Sequence, residues 1–139
     1  MPTIYMTVGL PGSGKSTWAM EYTRESNGHV LETSKDHIRP LAPEGLGRNE
    51  VEKWTVATQD QAVRTALSAG KSIVVHDTNL NPYHFERFSR IGDEYTAEVE
   101  LVDFTHIGVE ECVRRDARRT GTARVGRDVI ESMHAQWLQ

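Results

Sequence analysis

Gly9, Gly14, Lys15 and Ser16 stand in the spacing Gly9-x4-Gly14-Lys15-Ser16, and these residue types at these intervals can hold a nucleoside triphosphate. Glycines let the backbone curl so that successive N–H groups face phosphate oxygens. A lysine ammonium adds a point charge at the β- and γ-phosphates, and a serine hydroxyl can ligate Mg²⁺. The complete string Gly9-Leu10-Pro11-Gly12-Ser13-Gly14-Lys15-Ser16 is a Walker A phosphate loop. It predicts Gly12, Ser13, Gly14, Lys15, Ser16 and Thr17 as triphosphate contacts, with Lys15 as the catalytic cation and Ser16 as the metal ligand. Thr3 to Val8 has the composition of a short buried strand and Ser16 to Glu25 that of a helix, so the helix N-terminus would face the anion.

A phosphate loop says what is bound, and three further features bear on what is done with it. Asp77 follows an apolar run, at the carboxyl end of a predicted strand, where parallel-sheet folds place functional residues. There it can hold a metal-bound water or help position a phosphate acceptor, or equally serve as a turn or capping aspartate. His76 beside it reads as a strand-end residue. Asp36 and Arg39, three apart on one predicted turn, share a face. Phosphoryl transfer to an alcohol uses a carboxylate to accept the hydroxyl proton and an arginine to orient an anionic substrate, although a surface ion pair has the same spacing. Lys35 and His37 are expected to face solvent. The third feature is a basic strip of six arginines at 114, 115, 118, 119, 124 and 127, interrupted by one acid, Asp116. Its loop from Arg119 to Arg124 could fold over a triphosphate as a lid, neutralising the transferring group and excluding water.

The elements that must position these groups alternate in type, as in a parallel sheet covered on both faces. His29 to Thr33 reads as the second strand, followed by a turn of helix from Asp36 to Arg39, capped by Ser34 and ended by Pro40. Pro40 to Gly47, with two prolines and two glycines, reads as a loop. Asn49 is expected to cap a helix to Ala69 with Val51, Trp54, Ala57, Ala62, Ala66 and Leu67 on its inner side, and Gly70 to stop it. Ser72 to His76 is continuously apolar enough for a central parallel strand. Asn81-Pro82 opens a helix to about Ile91. Thr96 to Phe104 reads as a fourth strand with Ala97, Val99 and Leu101 inward. Helices from Gly108 to Arg119 and from Arg127 to Leu138 complete the chain.

At 139 residues, 37% hydrophobic and 26% charged, the sequence reads as one domain, residues 1–139, with a substantial core. No apolar run approaches the roughly 20 residues of a membrane span, and the N-terminus lacks a signal-peptide pattern. The single cysteine, Cys112, excludes an internal disulfide, suits a reducing cytoplasm, and reads as a small core residue between Val109 and Val113. A net charge of −4 excludes a long basic track, so the arginine strip is a local feature on an acidic body.

Pro11-Gly12-Ser13-Gly14-Lys15-Ser16-Thr17-Trp18-Ala19, Asp36-x-x-Arg39, Asp77-Thr78-Asn79-Leu80-Asn81-Pro82, and Gly121-Thr122 with Asp128-Val129-Ile130-x-Ser132-Met133 together resemble the kinase domain of phage-type polynucleotide kinases. The resemblance implies an α/β, P-loop NTPase-type kinase fold: a central, mostly parallel four-stranded sheet flanked by helices, with an Arg-rich lid. It further implies Mg²⁺-dependent transfer of the γ-phosphate of ATP to the 5′-hydroxyl end of DNA or RNA. On that pattern Asp36 is the general base, Arg39 grips the phosphate on the 3′ side with help from Thr78, and Asp77 supports the acceptor or metal environment. The lid arginine falls on Arg119 when Arg115-Asp116 is taken as the reference pair, and on Arg118 when counted from Phe104. The family's phosphatase signature is missing, and Gly126 replaces an expected proline, which predicts a looser lid. Two other readings share the loop. One is a phosphotransferase for a nucleoside, nucleotide, sugar or antibiotic. The other is a nucleotide-dependent switch, which positions water and does not require Asp36 and Arg39.

Overall fold

The computed structural model describes residues 1–139. Four strands form one sheet in the order β2-β3-β1-β4, with β1 at Thr3–Val8, β2 at Val30–Thr33, β3 at Ser72–Val75 and β4 at Glu98–Asp103. Every pairing is parallel, with Ile4 opposite Ile73 and Val99, and Met6 opposite Val75 and Leu101. The connections are helical: α1 (Lys15–Glu25), α2 (Lys35–Ile38), α3 (Arg48–Ser68), α4 (Pro82–Tyr95), α5 (Val109–Asp116) and α6 (Arg127–Trp137). No helix is long and apolar enough to cross a membrane.

Side-chain alternation divides the core between the two faces of the sheet. Ile4, Met6, Ile73 and Val75 turn toward α3 and α4, where Val63, Ala66, Leu67, Phe88 and Ile91 cover them. Val74 turns the other way, onto Ala19 and Val30 and the stacked Trp18 and Tyr22 of α1. A third cluster, Leu10, Cys112 and Ile130, joins the phosphate loop to α5 and α6. Cys112 is therefore a core residue, fully buried. Because β1 and β3 are neighbours and the chain leaves them toward opposite edges, the crevice at their carboxyl ends is a topological switch point.

The structure moves several expected boundaries. Gly47 caps α3 in place of Asn49, which already lies inside the helix. The buried face of α3 is Thr55, Gln59, Val63, Ala66 and Leu67, while Ala57 is exposed. Two polar residues lie inward because they have buried partners: the Thr55 hydroxyl donates to the Val51 carbonyl at 2.7 Å, and Gln59 reaches Asp77. Helix α4 continues past Ile91 to Tyr95, since Gly92 packs directly on the Ala97 carbonyl. Leu101 is 53% exposed instead of inward, because β4 is an edge strand in which Val99, with Ala97 just before it, packs against the core. Helix α5 stops at Asp116, three residues short of Arg119, where that carboxylate turns back to cap the following loop.

Candidate active site

The phosphate loop is shaped by glycines at positive φ. Gly12 sits at φ 86° and Gly14 at φ 102°, and a β-carbon at Gly12 would come within 2.5 Å of the Cys112 carbonyl oxygen. Only glycine combines that backbone with that approach. Gly14 caps α1 without a side-chain hydrogen bond, which leaves the first-turn N–H groups of the helix directed into the loop. The Lys15 ammonium lies inside it, donating to the Leu10 carbonyl at 2.6 Å and to the Ser13 hydroxyl at 3.4 Å. Burial first, and the Arg119 charge second, bring the Lys15 pKa down to about 8. Ser16 and Thr17 stand exposed at the mouth.

The string after β3 fastens this loop to the rest of the fold. The Thr78 carbonyl accepts from Gly9 N–H at 3.0 Å. Asn79, at φ 45° and 7% exposed, donates from its amide to the Thr7 and Val75 carbonyls at 2.9 and 3.2 Å, joining the ends of β1 and β3. Both carboxylate oxygens of Asp77 are occupied. Oδ1 accepts from Lys35 N–H at 2.9 Å and from the Ser34 hydroxyl at 3.4 Å, and Oδ2 accepts from the Gln59 amide at 2.8 Å. Gln59 in turn accepts from Arg87, whose guanidinium also donates to Asp60 at 2.6 Å. Asp77 thus holds the first turn of α2 in place, which a buried carboxylate can do because it accepts several hydrogen bonds at once.

Ser34 caps that turn, its hydroxyl accepting from Asp36 N–H at 3.2 Å. The cap presents the Asp36 side chain outward, 86% exposed, with one oxygen accepting from Arg39 at 3.1 Å. Glu52 on α3 receives the other edge of the Arg39 guanidinium at 3.1 and 3.3 Å, and this pairing raises the arginine pKa and lowers that of Glu52. Lys35 is not the solvent-facing bystander its position suggested: it is only 17% exposed, 3.9 Å from Glu52. His37 is exposed as expected, with its ring edge-on against His76 at a centroid distance of 5.6 Å.

The arginine strip forms the opposite wall. Arg115 donates to the Ser13 carbonyl at 3.2 Å and to Glu111 at 2.9 Å, binding α5 to the phosphate loop. Arg119 reaches the Ala123 carbonyl at 3.4 Å. The loop between is not loosened by Gly126: its N–H and that of Val125 donate to Asp116 at 2.9 and 3.0 Å, a bond a proline at 126 could not make.

These walls enclose one cavity of about 290 Å³, where Lys15, Ser16, Asp36, Arg39, Asp77, Thr78 and Arg119 meet. It opens into a wider space of about 710 Å³ beside Thr17, Ser34 and His37. A separate cleft of about 600 Å³ runs from Gly12 and Gly14 past Trp18 and Phe104 to Arg115 and Arg118. Arg119 borders all three spaces, and Arg118 only the last. The sequence reading gave no role to Gln59, Asn79 or Asp116, nor to the contact of His76 with Ser16. Asn79 carried a signal as part of the quoted string, and Asp116 as the one acid in the arginine strip.

A parallel sheet, a glycine phosphate loop at the switch point and an arginine lid together define a kinase-type P-loop phosphotransferase fold. The chain belongs to the AAA domain family whose model matches residues 4–139. It is 29% identical over 122 residues to the bifunctional enzyme NodQ of Rhizobium sp. (strain N33), a match that takes in 84% of this chain and 18% of that protein. The chain therefore spans about a fifth of the length of the curated relatives it matches. Among solved structures, a chain of the Pnkp1/Rnl/Hen1 RNA repair complex superposes with a TM-score of 0.81 at 24% identity, covering 98% of this chain and 44% of that one. The Mycobacterium tuberculosis APS kinase CysC in complex with AMPPNP and APS superposes with a TM-score of 0.64 at 20% identity, covering 84% and 69%.

Proposed function

We propose that this protein transfers the γ-phosphate of ATP to the 5′-hydroxyl of a DNA or RNA end. The observation that carries this reading is the convergence of Asp36 with Lys15, Ser16 and Arg119 on the single 290 Å³ cavity. A water-positioning switch has no use for a carboxylate and a paired arginine at the acceptor side. The loop fits a magnesium triphosphate because the α1 N-terminus carries no side-chain cap and the Lys15 ammonium lies inside the loop. Ser16 would hold the metal, which supplies charge neutralisation between the β- and γ-phosphates when bound.

In this reading Asp36 accepts the proton of the 5′-hydroxyl as its oxygen bonds to the γ-phosphorus. The bond from that phosphorus to the β,γ-bridging oxygen breaks, and ADP leaves. Lys15 and Arg119 hold the charge that shifts onto the bridging and γ-oxygens. Arg39, pre-set by Glu52, grips the phosphate on the 3′ side of the terminal nucleoside, which draws it away from Asp36 and frees that carboxylate. Asp77 fixes α2, and Thr78 lines the acceptor side. A net charge of −4 suits recognition of one terminal nucleotide, with a shallow salt dependence.

The likeness to an APS kinase favours a second reading, transfer to a small anionic alcohol. Labelled ATP offered with a 5′-hydroxyl oligonucleotide bearing 3′ phosphodiesters, and separately with APS, nucleosides and sugars, distinguishes the two. Label on the oligonucleotide end supports the first. Label on a small molecule with none on the oligonucleotide would falsify it.

A further inference from the structure

His76 ends the buried run of β3 one residue before Asp77, and it is 3% exposed. Its ring is held at both nitrogens. Nε2 meets a carboxylate oxygen of Glu32 on β2, and Nδ1 lies 3.2 Å from the Ser16 hydroxyl at the start of α1. With the Nε2 proton assigned to the carboxylate contact, a singly protonated ring presents a lone pair at Nδ1. The Ser16 hydroxyl must then donate to His76. Its hydrogen points toward the sheet, and its oxygen lone pairs are left facing the phosphate loop. A hydroxyl ligating a divalent cation needs that arrangement, because a hydrogen turned toward the cation would oppose binding.

We infer that Glu32 and His76 are a positioning pair that orients the Ser16 hydroxyl for the divalent cation of the bound nucleotide. This rests on the proposed role of Ser16 as the metal ligand. His76 borders the 290 Å³ cavity beside Ser16, and the pair acts through the Ser16 hydroxyl. Glu32 fixes the tautomer, and the tautomer fixes the rotor.

The test is nucleotide affinity as a function of Mg²⁺ concentration, measured with ATP by calorimetry for the full chain and in EDTA as the reference. Loss of one aligned hydrogen bond predicts that His76→Leu raises the half-saturating Mg²⁺ concentration about tenfold, with the EDTA affinity within about twofold of wild type. His76→Asn, whose side-chain oxygen can occupy the place of Nδ1, restores the Mg²⁺ dependence to within about threefold. Glu32→Ala, at a residue 25% exposed, gives the same direction without a core substitution and serves if His76→Leu folds poorly.

An unchanged Mg²⁺ dependence in His76→Leu and Glu32→Ala, with Ser16→Ala altered, overturns the pair's role and leaves Ser16 as the ligand. Wild-type affinity indifferent to Mg²⁺, or unaffected by Ser16→Ala, removes the Ser16 reading itself. Equal losses with Mg²⁺ and in EDTA mark a merely structural contact and also overturn the inference. Stoichiometric zinc in the purified protein does so too: Glu32, His37 and His76 bring ligand atoms within 4.8 Å of one another, and zinc would claim Nε2.

Discussion

The Asp116 carboxylate accepts the Gly126 N–H at 2.9 Å, ten residues on, and so closes the lid loop at its base. Val125 N–H completes the pair at 3.0 Å, and Asp116 is 1% exposed. The one acid in the arginine strip is thus the anchor of the loop that carries Arg119, whose guanidinium lies 4.0 Å away. Asp116→Ala leaves two N–H groups unpaired and costs about 1–3 kcal/mol. Gly126 sits at φ 91°, which proline cannot adopt, so Gly126→Pro is expected to destabilise as well. Thermal melts of both variants should fall by several degrees, and unchanged melts would show that the loop is held elsewhere.

Gln59→Leu tests the support beneath α2. The substitution removes the amide that donates to Asp77 and the oxygen that accepts from Arg87, leaving two buried charged groups short of a partner. A loss of about 2–4 kcal/mol in denaturant unfolding is expected, near the upper range for hydrogen bonds to charged groups. Turnover should fall further than nucleotide affinity, since α2 carries Asp36 while the phosphate loop is held by other bonds. Equal falls in both would separate Asp77 from the placement of α2.

The contrast between what was and was not legible follows the range of the interactions. The strand-loop-helix around Gly12 and Gly14 could be read directly because glycine conformation and the helix terminus are local properties. Ser34 and Asn81 were readable as caps for the same reason, and both accept the expected N–H two residues on. Gln59 was not among the inner residues read for α3, because nothing within that helix reveals that Asp77 will lie opposite it. Leu101 fitted an inward pattern, yet strand order decided that β4 is an edge. The site divides in the same way. Asp36 and Arg39 were visible as a pair, whereas Glu52, which sets the arginine, comes from another helix.

Asp36→Asn should lower turnover roughly 10²–10⁴-fold, the usual worth of a general base, with little change in nucleotide affinity. Glu52→Gln offers a contrasting outcome. Without its carboxylate, Arg39 loses its fixed side and leans on Asp36 alone, so the KM for an acceptor with a 3′ phosphodiester should rise several-fold while kcat changes less. Steady-state kinetics on both variants checks this. Activity of Asp36→Asn within a few-fold of wild type would remove it as the base.

The two adjacent lid arginines are expected to differ sharply. Arg119 borders the cavity shared with Lys15 and Asp36, and Arg118 faces only the cleft beside Trp18 and Phe104. Arg119→Ala should therefore cost roughly 10³-fold or more in turnover, the scale on which an arginine supporting a transferring phosphoryl acts. Arg118→Ala should act on the KM for the nucleotide, by less than about tenfold. Single-turnover measurements separate the two effects, and the reverse ranking would assign the lid role to Arg118.

Lys15 makes nucleotide binding a proton-linked event. In the free protein its pKa is brought down to about 8 by burial, with the Arg119 charge adding to the effect. Triphosphate beside the ammonium favours the charged form and raises the value again. Bound protein then holds more protons than free protein at any pH between about 8 and the restored lysine value, so binding takes up a proton there and weakens by up to tenfold per pH unit as the pH rises. Calorimetry at pH 9 in buffers of different ionisation enthalpy should report uptake approaching one proton per nucleotide. Lys15→Arg, whose guanidinium does not titrate in this range, should show none. If wild-type binding exchanges no proton and keeps its affinity from pH 7 to 9.5, the ammonium is charged throughout, and burial in the loop does not displace its titration.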